Sequence, residues 1–289
     1  MSIKNIINVL SIVSISWFCI PVGHAKNAVS IPIFTIESDI TKYLLEVAHQ
    51  ALLNSEAKYG PIDVKFASRG TEEERQLRNL RTGINDVAFA VCSSERNATY
   101  QEIPVPLLGG LFGFRVAVIR SGATLLSDSN SLADIKRLIA TQYESWVDYK
   151  ILKRHGFTLL ATGRQGGYRA VEVNIADYYP RSVLEVDSEL EMFGNLGDFT
   201  IDDIFAIHYP LYYILYVEKN NQALAERLRY GLEVMVESGD FAQKMKQQQF
   251  YTDSERHLSG KQITELSNPF HSEACQQIAT KYKSILFTP

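Results

Sequence analysis

Cysteine is nearly missing from this chain. Its three copies, Cys19, Cys92 and Cys275, are too few for a disulfide-built scaffold and lack the paired spacing of a structural zinc site. With only 17 Gly and 9 Pro in 289 residues, collagen-like repeats and low-complexity linkers are excluded. Basic runs are missing too. The formal charge is -4, from 29 Lys+Arg against 33 Asp+Glu, so duplex DNA or RNA finds no electrostatic footprint and no nucleic-acid partner is expected. The chain has no Gly-x-Ser-x-Gly elbow, no phosphate-binding Gly-x-x-x-x-Gly-Lys and no dinucleotide Gly-x-Gly-x-x-Gly. The stretch Gly163 to Gly167 is interrupted by Arg164 and Gln165 and leads into a turn. His271 and Cys275 stand four apart without further ligands, and His49, His155, His208 and His257 are scattered. A Cys92 nucleophile would need a base that the sequence does not supply. No enzyme, metal or cofactor is expected.

What is present is a 46% hydrophobic chain, enough for one large core or two medium ones. Its first 25 residues carry Lys4, an apolar run from Ile6 to Ile20, a break at Pro21, and Gly23-His24-Ala25 with small residues where a signal peptidase cuts. The run falls short of the roughly 20 apolar residues a bilayer needs and contains Asn8 and three serines, which favours a cleaved export signal over an anchor. A lipid attached at Cys19 is disfavoured by the bulky Trp17 and Phe18. The mature product is expected to be periplasmic or secreted, without a membrane span, in a compartment where Cys92 and Cys275 could oxidise to each other. Whether they meet stays open at this point. Asn97-Ala98-Thr99 matches a glycosylation sequon, a triplet common by chance.

Strand and helix signals alternate, the mark of an α/β protein. Val29 to Ile36 reads as a strand, followed by Ser38 or Asp39 as N-cap and a helix with Leu44, Val47, Ala48, Ala51 and Leu52 on one face. Ile62 to Ala67 reads as the second strand, Thr71 to Glu74 as a capping box for a helix reaching Gly83, and Asp86 to Val91 as the third strand. Two long β-rich stretches, Phe112 to Ile119 and Pro210 to Val217, enclose a second unit. That unit holds helices at Ser145 to His155, Tyr168 to Val173 and Val183 to Phe193, and strands at Thr158 to Thr162 and near Asp177. Leu224, Leu228, Gly231 and Met235 then share a helical stripe that Gly239 ends. The expected domains are a signal (1–25), lobe one (26–117), lobe two (118–208), and the return to lobe one with C-terminal helices (209–289).

The segment Gly83-Ile84-Asn85-Asp86-Val87-Ala88-Phe89-Ala90-Val91-Cys92-Ser93-Ser94-Glu95-Arg96 resembles one in type 2 periplasmic solute-binding proteins. There a strand beginning with Asp leads into a hydroxyl residue and then Glu-Arg. Ile103-Pro104-Val105-Pro106, the hinge strand Gly113-Phe114-Arg115-Val116 and Asp177-Tyr178-Tyr179-Pro180-Arg181 continue the resemblance, which is to the polar amino-acid-binding branch and covers most of residues 26 to 250. It implies two lobes, each a mixed sheet flanked by helices, joined by two hinge strands. It also implies that Arg96 clamps a ligand carboxylate, because a planar guanidinium offers two parallel N–H bonds, with Ser93 in support. The bland alternatives are a surface Arg96 paired with Glu95 or Glu102, and Ser93 as a strand-end turn.

Two departures bear on the ligand. Val91 replaces a second hydroxyl, and Ser182 stands where amino-acid binders carry the Asp that accepts bonds from an ammonium group. A standard free amino acid is therefore in doubt. If Arg96, Arg115 and Arg181 all face the cleft, a solute with more than one negative charge is favoured, unless Arg115 points to solvent or pairs with a carboxylate. Trp146 opens a lobe-two helix, as a pocket wall or as core, and most of Tyr168, Tyr178, Tyr179, Tyr209, Tyr212 and Tyr213 read as packing. The expected function is capture of a small polar, anionic or carboxylate-bearing solute for ABC-type uptake, with a permease or membrane sensor as partner and a monomeric state. A ligand-sensing or partner-binding role is the alternative, and a secreted enzyme a more distant one.

Overall fold

The computed structural model describes residues 28–125 and 131–289, so the expected export signal lies outside the described residues. The chain enters through β1 (Val29–Ile33), α1 (Asp39–Asn54), the single turn α2 (Glu56–Tyr59), β2 (Val64–Gly70), α3 (Glu73–Thr82) and β3 (Ala88–Val91). β1 and β2 run parallel, with Val29 opposite Val64. Ser38 caps α1: its Oγ accepts from Thr41 N while Thr41 Oγ1 accepts from Ser38 N. The face of α1 predicted from its spacing is the buried one.

The expected capping box on α3 does not form. Glu72 is the N-cap and uses no side-chain bond, while the buried Thr71 Oγ1 has no partner. Gln76 secures this end instead, donating to Thr71 O at 3.1 Å and accepting from Phe89 N at 3.1 Å. Gly83, at φ 68°, stops the helix where expected.

Next come α4 (Ser94–Thr99), β4 (Gln101–Ile103) and β5 (Phe114–Arg120). The second unit consists of α5 (Leu132–Arg137), β6 (Ile139–Tyr143), α6 (Val147–Arg154), β7 (Thr158–Thr162), α7 (Arg164–Glu172), β8 (Tyr179–Ser182) and α8 (Val186–Phe193). The chain returns through β9 (Phe199–His208), β10 (Tyr213–Val217), α9 (Gln222–Ser238), α10 (Asp240–Lys246), α11 (Gln249–Leu258), β11 (Gln262–Glu265) and α12 (Glu273–Lys281).

The two long strands fall in different sheets. β10 does not pair with β5. It lies between β3 and β4 in an antiparallel sheet, whereas β5 pairs with β9 and β8 in a sheet ordered β11-β9-β5-β8. β9 carries Asp202 and Asp203 in mid-strand, which hides its alternation. Asp202 turns inward and accepts from Ile204 N and Phe205 N. β6 and β7 form a parallel pair, and Ala140 of β6 bridges to Tyr178, the residue just before β8. The two crossings between units lie close together: a Cβ on Gly113 would stand 2.2 Å from Tyr209 O, so only glycine fits there.

Candidate functional site

The lobe-one side is built where β3 ends. Ser93 is the N-cap of α4, its Oγ accepting from Arg96 N at 3.3 Å, which is the strand-end turn weighed above. The turn folds Arg96 back under its own strand. Nη1 donates to Val91 O at 2.8 Å, and Nη2 reaches Glu73 at 2.5 Å and Glu74 at 2.7 Å on the first turn of α3. Glu95 and Glu102 are not its ion-pair partners. Desolvation opposes the charge, but Glu73 and then Glu74 hold the Arg96 pKa above its ordinary value, so it stays cationic.

Glu73 shows what kind of place this is. Water reaches 28% of its side chain, yet burial raises its carboxyl pKa even against the pull of Arg96. It is a partly exposed carboxylate in a largely desolvated setting. The Tyr213 hydroxyl, from β10, hydrogen-bonds to Glu73. The Tyr216 hydroxyl accepts from Ser93 N and donates to Asn97 Oδ1 at 2.7 Å.

The other candidates gather around three carboxylates. Arg115 stands opposite Ser182 in the β5–β8 register. Its Nε and Nη2 both reach Asp148 Oδ1 at 2.7 Å, and Tyr209 donates to the same oxygen. Burial works against the Asp148 carboxylate, but Arg115 and the Tyr209 bond outweigh it and lower its pKa. Arg181 is 2% exposed and grips Glu189 with two bonds, Nε to Oε2 at 2.5 Å and Nη2 to Oε1 at 2.6 Å. Tyr168 donates to the same carboxylate at 3.0 Å. Trp146 is the N-cap of α6, and the guanidinium carbons of Arg181 and Arg164 lie 4.8 and 5.5 Å from its ring centre. Ser182 is buried, and its Oγ accepts from Leu184 N. It serves the chain's own turn.

The structure therefore brings Arg115, Trp146, Arg181 and Ser182 together on one side and Ser93 and Arg96 on the other. It does not give three unpaired cations. Arg96 is answered by Glu73 and Glu74, Arg115 by Asp148 and Arg181 by Glu189, because a guanidinium out of water needs a counter-ion. The ground for a multiply charged anion falls away. Sequence reasoning missed these carboxylates and also Glu185. Burial first, then Glu189, raises the Glu185 pKa against Arg181, Arg115 and Arg164. Tyr213 marks the junction: burial lifts its phenol, Glu73 adds from its own side, and Glu185 adds from the other.

Cys92 and Cys275 are joined, with Cα atoms 5.8 Å apart, which removes Cys92 as a nucleophile and Cys275 as a metal ligand. Among the described residues no group of three or more His, Cys, Asp or Glu could hold a metal, and no helix is long and apolar enough to cross a membrane. Asn97, the sequon residue, donates to Ser272 Oγ at 2.8 Å. A depression of about 490 Å³ between the end of α3 and the turn before α9, and another of about 560 Å³ beside the last residues, contain none of the candidate side chains. Both open to solvent at the periphery, so the chemistry of the site rests with the paired groups above.

No protein-family model matches the sequence, and no curated protein does. Solved structures are similar. An ancestral arginine-binding protein bound to arginine shares 18% identity at a TM-score of 0.52, covering 77% of this chain and 98% of its own. A Salmonella typhimurium periplasmic binding protein with high arginine specificity shares 17% at 0.50, covering 76% and 98%. A histidine kinase sensor domain with similarity to periplasmic binding proteins shares 14% at 0.51, covering 75% and 94%. These likenesses show the fold, the two-lobed type 2 periplasmic-binding-protein architecture expected from the sequence. Each neighbour is matched over nearly all of its length, and each match leaves about a quarter of this chain uncovered.

Proposed function

We propose that the protein is an exported, monomeric solute-binding protein that captures a small carboxylate-bearing polar solute between its lobes for ABC-type uptake, without covalent chemistry. The lobes span residues 26–117 with 209–289, and 118–208. One observation carries the reading: Arg96, with 20% of its side chain exposed, is held at the end of β3 by Glu73 and Glu74, and a ligand carboxylate would share it with them. Ser93 fixes the turn that aims it. On the facing side Trp146 and Glu185 keep some exposure beside the buried Arg181, Arg115 and Ser182, and Glu185 and Glu73 are the counter-charges a solute's cationic group would meet.

This arrangement favours a solute of mixed charge over a dianion. Adding two negative charges beside Glu73, Glu185 and Glu189 would be costly, whereas a carboxylate paired with a cationic group leaves the local balance intact. Binding would shift the population toward a closed state and raise thermal stability by mass action. A thermal-shift screen with amino acids, dicarboxylates and inorganic phosphate on the mature protein tests it. Stabilisation by a mixed-charge carboxylate supports the reading. Stabilisation by phosphate or a dicarboxylate alone contradicts the charge argument, and no stabilisation at all contradicts capture.

A sensing or partner-binding role is the second reading. It is supported by the covalently tied C-terminal segment, a surface that a partner could read.

A further inference from the structure

The chain beyond α10 touches three parts of the molecule. On lobe one, Cys275 is bonded to Cys92, Asn97 donates to Ser272 Oγ, Ser94 N donates to Phe270 O at 3.2 Å, and Phe250 packs edge-on against Tyr43 of α1. At the hinge, β11 adds a parallel edge strand to β9, with Gln262 opposite Phe205 and Glu265 opposite His208. On lobe two, His155, at the end of α6, donates from Nε2 to Ser267 O at 2.8 Å, and Asp187 of α8 meets His257 at 2.8 Å and Arg256 at 3.2 Å. The Ser267 carbonyl can only accept, which puts the proton on Nε2 of His155.

We infer that residues 249–289 form a strap that ties lobe one, the hinge sheet and lobe two together and sets the resting angle between the lobes. Two lobes joined only by hinge strands rotate by changing a few backbone torsions. A third connection closes a mechanical loop, so any rotation must release one of its ends. One end is covalent. The strap's contacts with the helices of lobe two are polar ones made by His155 and Asp187, apart from the β11 pairing, the Lys261 bond to Asp202 O and the Glu265–His208 pair on β9, so the helix contacts are the end that yields. Asp187 is 45% exposed and Arg256 60%, so their contact can break and reform, while His257, 7% exposed, would be left without Asp187.

The test needs no ligand, so it stands or falls separately from the proposed capture of a solute. Nitroxides are attached by non-cysteine chemistry at positions 42 on α1 and 150 on α6, both exposed, and the interlobe distance distribution is measured by double electron–electron resonance on the mature protein. The parent is expected to give one narrow distribution. Asp187→Asn with His155→Ala should move the equilibrium roughly tenfold toward distances the parent does not sample, the value of about one charge-assisted hydrogen bond. Distributions that superimpose, or a parent that is already broad, would overturn the strap. Both substitutions are at partly exposed positions and a melting curve verifies folding. Cys92→Ser with Cys275→Ser frees the covalent end independently and should broaden the distribution in the same way.

Discussion

Arg181 and Glu189 are buried together and joined by two bonds, and removing one partner leaves an uncompensated charge out of water. Glu189→Gln is therefore expected to cost roughly 3–5 kcal/mol in urea unfolding, whereas Arg137→Ala, at an exposed pair, should change the midpoint by less than about 1 kcal/mol. His271 gives a pH prediction. It is buried against Tyr212 with Nε2 unpartnered, and desolvation pulls its pKa down to about 4. The folded state thus prefers the neutral ring, while the unfolded chain takes up a proton near pH 6.5. Stability should be full above pH 6.5 and fall as pH drops toward 4, by about 3 kcal/mol in total. His271→Phe should keep the stacking and flatten that slope in urea titrations at stepped pH. Asp148, whose pKa is lowered, adds a loss of opposite origin only below about pH 4, where the unfolded carboxylate protonates.

At the scale of elements, the packing of α1 on α9 depends on Gly231, where a Cβ would stand 1.7 Å from Ala51 O. Gly231→Ala must push the helices apart, and a cost of about 1–3 kcal/mol or more is expected in thermal unfolding. The Cys92–Cys275 bond closes a loop with a sequence separation of 183, so the Cys92→Ser, Cys275→Ser variant should lose roughly 2–5 kcal/mol against the oxidised parent. Much of this architecture was legible in the sequence because periodicity reports burial: α1 and α9 bury the stripes their spacing predicts. β9 and β11 were not, since β9 interrupts its alternation with acids that bond to its own backbone, and β11 is short and largely solvent-facing. The Thr71 to Glu74 pattern misled because Gln76, from inside the helix, does the work assigned to Thr71. The partners of the arginines were invisible for a related reason. Glu73, Asp148 and Glu189 become neighbours of Arg96, Arg115 and Arg181 only through tertiary packing, which spacing along a chain does not encode.

For the whole molecule, two clusters of paired charges meet at Tyr213, and the positive charge at Arg96 is already balanced by Glu73 and Glu74. In the proposed capture a carboxylate would share Arg96 with Glu73, which would make Glu73 the residue that sets how strongly the site attracts an acid. Glu73→Gln should strengthen binding of a carboxylate and weaken that of a cation, read as opposite changes in Kd. The most direct measurement is calorimetric titration of the strongest stabilising solute from the thermal-shift screen into the parent protein and into Arg96→Ala. Saturable binding by the parent that falls at least about tenfold in Arg96→Ala, as loss of a charge-assisted pair requires, is the predicted result. Equal affinity in both proteins would contradict the account.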